Sequence, residues 1–215
     1  MEIRYLGHAS FLIKTKDAKL VTDPFDPTMV GFKFPKTDAD IVTISHQHKD
    51  HNQAKNVEGT PLIIEMPGEF QKKGIRVTGY QSFHDNVRGA ERGENIIYKI
   101  ESEGIAVLHC GDLGYVPEDG LLDLIGVVDV LMVPVGGNYS LDCEQAAQLI
   151  KKIEPSFIIP MHFNSPKHNQ AYFSKLTSVK DFLSKMSAEN TTPLPKLVIK
   201  KETITEEMKV VLLES

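Results

Sequence analysis

The sequence predicts a mixed α/β domain in which helices cover β-sheets. The first half of the 215 residues holds short apolar runs that are rich in β-branched residues and bounded by glycine or proline, which is typical of strands. The second half alternates such runs with segments of helical periodicity. Hydrophobic residues make up 41% and charged residues 25%, with no linker or repeat, so we expect one domain over residues 1–215.

The predicted elements follow one another closely along the chain. Gly7-His8 separates the first two strands, Asp23-Pro24 ends the third, and further glycine and proline pairs bound the later ones. The expected strands cover residues 1–6, 9–14, 19–22, 39–44, 61–65, 74–78, 79–83, 95–100, 105–109, 130–133, 156–159, 196–200 and 208–213. The expected helices cover residues 118–125, 142–153 and 170–186, the last because apolar residues recur there every three or four positions.

Residues 24–38 form a long predicted loop with an unusual number of apolar side chains, including Phe25, Met29, Phe32 and Phe34. Long loops of this kind often carry function. The segment therefore either lies over a site as a lid or substrate wall, or inserts its aromatic rings into the core.

Composition excludes several classes of protein. The net charge of −5 and a pI near 5.9 disfavour non-specific binding to nucleic acid. No apolar run approaches the roughly 18 residues of a membrane span, and residues 1–6 lack the features of a signal peptide, so we expect a cytoplasmic protein. Cys110 and Cys143 are too few for a disulfide framework and are each expected to be small buried side chains.

A dense cluster of potential metal ligands lies at residues 45–52. His46, His48, Asp50 and His51 directly follow a β-branched run that is expected to be a buried strand. Histidine and aspartate are costly to bury unless they are paired, and neutral imidazole with carboxylate suits divalent zinc, iron or manganese. The cluster therefore predicts a metal site rather than a histidine-rich polar loop.

Three further residues of the same kind follow later strands. His84, Asp112 and His162 each come just after an apolar run. Ligands in α/β sheets bind beyond one set of strand ends, so these side chains are expected to meet the 45–52 segment.

The motif H-x-H-x-D-H at residues 46–51, with the three later residues, resembles the signature of the metallo-β-lactamase superfamily. The resemblance implies a four-layer αβ/βα sandwich of two mixed sheets flanked by helices, with halves that meet near residues 100–105. It assigns His46, His48 and His84 to one metal, Asp50, His51 and His162 to a second, and Asp112 to both. Residues 5–11 resemble a branch that includes an ascorbate-phosphate lactonase and a phospholipase acting on N-acyl-phosphatidylethanolamine.

The resemblance also implies the chemistry. Two divalent ions, zinc first, with manganese, iron or nickel as alternatives, would activate a shared water to cleave an ester, lactone or phosphodiester in a small molecule. Asp112 would hold the metal pair, and Asp50 would orient the nucleophile or take its proton. A stand-alone metal-dependent hydrolase is therefore the expected enzyme.

Residues around the ligands are assigned supporting roles. Asp23 and His8 are candidates to orient metal-binding histidines through hydrogen bonds, although His8 also fits a satisfied turn residue. His109 is expected to be a partly buried strand residue, and His168 to be exposed in a polar loop.

Three side chains are candidates for substrate contacts. Arg88 and Arg92 could grip a carboxylate or phosphate, or could lie in a solvated loop paired with Glu91 and Glu94. Asn138 belongs to a glycine-rich segment beside the metals.

Two other functions stay open at this stage. Metal ligands can serve stability alone, which would make the chain a non-catalytic metal-binding or regulatory protein. A single-iron persulfide dioxygenase-like oxidoreductase is the other alternative. The sequence indicates no nucleic-acid partner, no membrane partner and no particular oligomeric state.

Overall fold

A computed structural model describes all 215 residues, and its strands form two mixed β-sheets. The first sheet has six strands, in which antiparallel pairing at the N-terminal strands is followed by parallel pairing. These strands are β1 (Glu2–Gly7), β2 (Ser10–Lys14), β3 (Lys19–Thr22), β4 (Ile41–Thr43), β5 (Leu62–Ile64) and the edge strand β12 (Leu197–Val198), in the order β12-β1-β2-β3-β4-β5.

The second sheet has seven strands. Its first members form an antiparallel meander, and its later members run parallel with crossover connections. They are β6 (Gly68–Lys72), β7 (Ile75–Phe83), β8 (Glu94–Ser102), β9 (Ile105–His109), β10 (Val130–Pro134), β11 (Phe157–Met161) and β13 (Lys209–Val210), in the order β13-β11-β10-β9-β8-β7-β6.

Five α-helices accompany the sheets: α1 (Pro27–Val30), α2 (Asp119–Ile125), α3 (Cys143–Ile153), α4 (Gln170–Phe173) and α5 (Val179–Lys185). The longest, α3, begins with a capping box in which Asp142 and Gln145 satisfy each other's backbone amides, and it packs against α5 and β10. Single 3₁₀ turns occur at Ala54–Asn56 and Lys201–Thr203. None of the helices combines the length and the apolar character that a membrane crossing needs.

The first sheet is buried on both faces, as the alternation of its side chains shows. On β2, Phe11 and Ile13 join a core of 40 buried residues that draws on both sheets, whereas Leu12 joins a second core of 11. Alternate side chains of β3 and β4 likewise join one core or the other, because successive side chains of a strand point to opposite faces. The two sheets therefore share one apolar core, and a smaller core covers the outer face of the first sheet.

The loop at residues 24–38 supplies much of that smaller core. Phe25, Val30 and Phe34 are buried in it, together with Phe173 of α4. Met29 instead reaches the cavity described below. The loop therefore both packs into the core and forms part of a cavity wall.

The hydroxyl group of Tyr98 is one of the polar contacts that join the two sheets. Tyr98 of β8 is fully buried, and its hydroxyl lies 3.0 Å from the carbonyl oxygens of both Ile44 and Ile64 in the first sheet. Ile44 directly follows β4 and Ile64 ends the neighbouring strand β5, so the contact also holds the chain where residues 45–52 leave β4.

The predicted helix at residues 170–186 is wrong as one element. It consists of α4 and α5, which are separated where Thr177 donates its backbone N–H to the carbonyl of Gly136. Ser178 then takes the extended conformation of a helix N-cap. The apolar periodicity continues across the break because each short helix buries apolar residues, Phe173 of α4 in the smaller core and Phe182 of α5 in the larger one. Periodicity alone therefore could not reveal the break.

Other boundaries also differ from the prediction. The edge strand β6 was not predicted, because its sequence GEFQK is polar and mostly exposed. The runs at residues 74–78 and 79–83 form the single strand β7, and the last two strands shrink to two residues each. The chain passes from the first sheet to the second at residues 65–67, returns to the first at β12 and ends in the second at β13. At residues 100–105, where the two halves were expected to meet, β8 and β9 form a hairpin within the second sheet. Cys110 is buried as expected, but Cys143 is half-buried at the start of α3.

We expect Tyr98→Phe to lower the free energy of unfolding by about 1–3 kcal/mol, because it removes the buried donor that faces the Ile44 carbonyl; the Ile64 carbonyl still accepts the Ile44 N–H. Denaturant unfolding followed by circular dichroism would measure this. The matched control is Tyr80→Phe, whose hydroxyl contacts the Leu124 carbonyl at the surface, with an expected change below about 0.5 kcal/mol. Equal effects of the two substitutions would show that the contact between the sheets contributes nothing beyond ring packing.

Candidate metal centre

The seven side chains assigned to metals by the resemblance lie together at one end of the two sheets. The first sheet supplies four of them from the loop after β4, and the second sheet supplies three from the ends of β7, β9 and β11. They are His46, His48, Asp50, His51, His84, Asp112 and His162. Ligands thus converge from both sheets at the strand ends, where the backbone turns away and leaves a crevice.

The ligand atoms form two neighbouring groups. His46, His48 and His84 make one, and Asp50, His51 and His162 make the other together with His8. Within each group the ligand atoms lie within 4.8 Å of one another.

Asp112 lies between the two groups. Its Oδ2 atom is 3.1 Å from Nε2 of His162, 3.2 Å from Nε2 of His84 and 3.4 Å from Nε2 of His51. Nε2 of His46 is 3.9 Å away. One carboxylate therefore touches imidazoles of both groups, which is the position that a ligand shared by two ions requires.

Unpaired polar atoms show that these residues fit metal ions. Nε2 of His46, Nε2 of His51 and Oδ1 of Asp112 are buried and have no hydrogen-bond partner. Leaving such atoms unpaired costs about 1–3 kcal/mol each. Nδ1 of His84 and Oγ1 of Thr43 are also buried and unpaired. Donation of lone pairs to a cation would account for Nε2 of His46, Nε2 of His51 and Oδ1 of Asp112, and the histidine–carboxylate donor set suits zinc and its neighbours in the first transition series.

Asp23 decides which nitrogen of two histidines faces the site. Its Oδ2 lies 2.9 Å from Nδ1 of His51 and accepts the hydroxyl proton of Ser45 at 2.6 Å. The Ser45 oxygen in turn lies 2.9 Å from Nδ1 of His46. Both histidines therefore hold their proton on Nδ1 and present a bare Nε2 to the site, the form that binds metals.

Burial favours the neutral form of these ligands. It lowers the pKa of His46 well below the usual histidine value, and the adjacent His51 adds to the effect. At Asp112 burial opposes ionisation, but the imidazoles of His162, His51 and His84 outweigh it and hold the pKa well below its usual value. At His51, by contrast, burial is outweighed by the carboxylates of Asp112 and Asp50, which raise its pKa well above the usual histidine value. Without a cation, the ionised Asp112 is therefore balanced by positive charge on His51 beside it, which is charge that a metal ion would replace.

Three residues at the centre have left-handed backbones. His8, Asp23 and His162 have φ values of 58°, 39° and 52°. This conformation is uncommon for residues other than glycine and costs about 1 kcal/mol or more. In each case it turns the chain sharply at a strand end, so that the side chain enters the crevice instead of continuing the alternation of the strand.

The last two histidines differ from expectation. His109 is fully buried rather than partly buried, and its Nε2 lies 2.8 Å from the Ala9 carbonyl oxygen. His168 was predicted to be exposed, which is wrong: only 4% of it is exposed. Phe32 and Phe173 pack against its ring, a tertiary arrangement that its polar sequence neighbours do not indicate.

Known proteins share this fold and its sequence pattern. The sequence profile of the β-lactamase superfamily domain matches residues 2–162, three quarters of the chain. A protein from Thermotoga maritima, assigned to the zinc-dependent hydrolases of the metallo-β-lactamase superfamily, is 34% identical, with a TM-score of 0.81 over 99% of this chain and 97% of its own. The chain belongs to the metallo-β-lactamase superfamily.

Two less similar proteins share this sequence pattern or this fold. A metal-dependent hydrolase of Thermoplasma acidophilum is 28% identical over 189 residues, which are 77% of this chain and 84% of that protein. Igni18, a metallo hydrolase from Ignicoccus hospitalis, shares the fold with a TM-score of 0.69 at 21% identity, over 93% of this chain and 99% of its own. The predicted sandwich fold and the class of metal-dependent hydrolase are thus confirmed, while the ligand set stays a prediction.

A cavity of 420 Å³ opens at the candidate metal ligands. Its floor includes His48, Asp50, His84, Asp112 and His162. Its walls come from the surrounding loops and from α4, and comprise Met29, Gln47, Lys49, Arg92, Tyr139, Tyr172 and Phe173.

The three candidates for substrate contacts are placed differently. Arg92 lines this cavity, with its guanidinium carbon 4.0 Å from the centre of the Tyr139 ring. Arg88 borders a separate cavity with Tyr115 and Glu118. Asn138 is exposed and does not line the cavity of the metal-binding residues.

Asp85 organises the loop that carries Arg92, a role that sequence reasoning missed. Its carboxylate accepts backbone N–H groups from Val87, Gly89, Glu91 and Arg92 at 2.7–3.0 Å. Desolvation opposes ionisation of Asp85, but these four amides, with Arg92 foremost, lower its pKa to about 2. The only signal in the sequence was its position beside His84.

Asn95 and Gly111 hold Asp112 in place and were also missed. The Asn95 Oδ1 accepts the backbone N–H of Asp112 at 3.0 Å. A Cβ atom on Gly111 would lie 2.4 Å from that same oxygen and 2.5 Å from Cβ of Ser45. Only glycine allows this approach, so the backbone itself packs against the residues that orient the ligands.

We expect Asp23→Asn to weaken metal binding about 10- to 100-fold. If the NH2 group of the asparagine took the place of Oδ2, it could accept neither the Nδ1–H of His51 nor the hydroxyl proton of Ser45. Competition with a chromogenic chelator would measure the affinity. Asp129→Asn is the matched control, since Asp129 is buried at the opposite strand ends and accepts the Ala106 N–H at 2.7 Å. It should reduce stability and leave the affinity unchanged; a similar loss of affinity in both variants would contradict the orienting role of Asp23.

Proposed function

We propose that this protein hydrolyses an ester, lactone or phosphodiester bond in a small anionic molecule by means of two divalent metal ions. The observation that carries the proposal is the pair of ligand groups that share Asp112 on the floor of one cavity. His46, His48 and His84 would hold one ion, Asp50, His51 and His162 the other, and Asp112 both. Zinc is the first choice for this donor set, with manganese, iron and nickel as alternatives.

The metals would supply a hydroxide nucleophile at neutral pH and a positive charge that polarises the carbonyl or phosphoryl oxygen under attack. The chain contributes the geometry. Asp112 keeps its negative charge between the imidazoles, and Asp23 keeps the bare nitrogens of His46 and His51 directed inwards. No serine or cysteine nucleophile is needed.

Asp50 is placed to handle protons. Its carboxylate lines the cavity and is bonded on one side to His8, whose Nε2 lies 3.2 Å from Oδ2. From there Asp50 can accept the proton that the attacking water gives up and return it to the leaving group. This is the role of general base and acid in the proposed reaction.

Arg92 supports an anionic substrate. It makes no ion pair with any acidic side chain, and stacking on Tyr139 holds its guanidinium at the cavity wall. A planar guanidinium so placed matches a carboxylate or phosphate group. Met29, Tyr172 and Phe173 offer the substrate an apolar surface on the cavity wall.

A purely structural metal site is less well supported. Structural sites are closed by protein ligands, whereas catalytic sites keep a position open. Here His48 is exposed, and residues of both ligand groups line the open cavity. The geometry therefore favours catalysis over stabilisation alone.

We expect two equivalents of metal per chain in untagged protein measured by mass spectrometry, and turnover of bis(4-nitrophenyl) phosphate or a chromogenic ester. Asp112→Ala and His48→Ala should each abolish that turnover and lower the metal content, while Asp129→Ala keeps both. One equivalent of iron would instead support the oxidoreductase alternative. Two equivalents of metal with no turnover, and a large loss of stability on chelation, would support a non-catalytic role.

We expect Arg92→Met to raise KM for an anionic substrate about 10- to 100-fold with little change in kcat, since a charged hydrogen bond contributes about 1.5–3 kcal/mol to binding. Steady-state kinetics on a charged ester and its neutral analogue would measure this. Arg88→Met serves for comparison and should have the smaller effect. If the charged and neutral esters respond equally to Arg92→Met, the residue does not recognise the anion.

A further inference from the structure

A row of buried polar groups runs away from Asp50 to the far side of the site. Asp50 Oδ2 lies 3.2 Å from Nε2 of His8, and Nδ1 of His8 lies 3.4 Å from Nε2 of His168. Nδ1 of His168 then receives the backbone N–H of Ser165 at 3.1 Å. The row therefore begins at a backbone amide, whose role as donor is fixed by chemistry, and ends at a candidate catalytic carboxylate.

The amide of Ser165 determines the protonation of His168. A ring nitrogen that accepts an N–H carries no proton of its own, so His168 is neutral and its single proton is on Nε2. The Ser165 hydroxyl oxygen, also 3.1 Å from Nδ1, fits as a second donor. The nitrogen that faces His8 is therefore the donor of the pair.

The proton position on His168 determines the proton position on His8. Because Nε2–H of His168 donates to Nδ1 of His8, that nitrogen is bare and the proton of His8 must be on Nε2. His8 therefore donates a hydrogen bond to Asp50. Nε2 of His8 lies among potential metal ligands, but a protonated nitrogen has no lone pair to give a metal.

We propose that His168 is a positioning residue that holds His8 in its Nε2–H form and thereby fixes the orientation of the Asp50 carboxylate. The inference depends on the proposed function for the role of Asp50, but not for the arrangement of protons. It assigns His8 as a hydrogen-bond donor to a ligand and excludes it as a ligand.

The surroundings of the two rings support the proposal. Phe173 packs against both, with ring centres 4.8 Å from His8 and 5.4 Å from His168, and Phe32 lies 4.6 Å from His168. Both rings are buried, His8 completely and His168 to all but 4%. They are thus screened from water, as a fixed proton arrangement requires.

Nitrogen-15 NMR of the histidine rings tests the proton arrangement directly. In metal-free protein near neutral pH, both His8 and His168 should show the neutral Nε2–H form. Ser165→Ala keeps the backbone amide and should leave both forms unchanged. A proton on Nδ1 of either residue, or a doubly protonated ring, would overturn the inference whether or not the protein binds metal or hydrolyses any substrate.

Two substitutions at position 168 test whether His168 holds His8 in its Nε2–H form and thereby orients Asp50. His168→Gln keeps an N–H that reaches towards Nδ1 of His8, whereas His168→Met fills the space without a donor. We expect the Met variant to lose the single proton form of His8, to bind metal more weakly, and to lower kcat for bis(4-nitrophenyl) phosphate about tenfold with KM unchanged. The Gln variant should keep the proton form of His8, the metal affinity and kcat close to those of the wild type.

The comparison separates positioning from packing. Equal losses in the Gln and Met variants, with the proton form of His8 unchanged in both, would mean that His168 only fills space, and would overturn the proposal. If the wild type binds no metal and turns over nothing but shows the expected proton forms, the proposed function fails while the arrangement of protons stands.

Discussion

The metal centre depends on one fully buried negative charge, the carboxylate of Asp23. An uncompensated charge at this depth would be very costly, and the chain compensates it with the N–H and hydroxyl of Ser45 and the Nδ1–H of His51. The same bonds direct the bare nitrogens of His46 and His51 towards the crevice. The interaction that makes burial of the charge tolerable is therefore also the one that prepares the ligands.

This arrangement requires both sheets to be in register across their shared core. Ligands after β4 belong to the first sheet, and Asp112 and His162 belong to the second. The Tyr98 hydroxyl joins the sheets inside the core, and the backbone N–H of His162 donates to the carbonyl of His8 at 2.9 Å at the site itself. The candidate ligands consequently meet only when the apolar core between the sheets is formed.

Much of the fold could be predicted from local pattern. β-branched runs marked the buried strands, because a strand buried on both faces needs a continuous apolar segment. The failures lie where tertiary contacts override local preference. Thr177, between α4 and α5, is not helical because Gly136, distant in sequence, accepts its N–H. The polar strand β6 exists because β7 offers it a partner edge.

For the site, the sequence by itself determined which residue types could bind a metal and that they follow strand ends, because these chemical properties and positions are local. Only the tertiary structure decided that Asp23 orients two of them, that Arg92 and not Arg88 faces their cavity, and that His168 is buried behind His8. Such roles depend on distances between residues up to 160 positions apart in the chain. No local pattern encodes these distances; the packing of two sheets and their loops sets them.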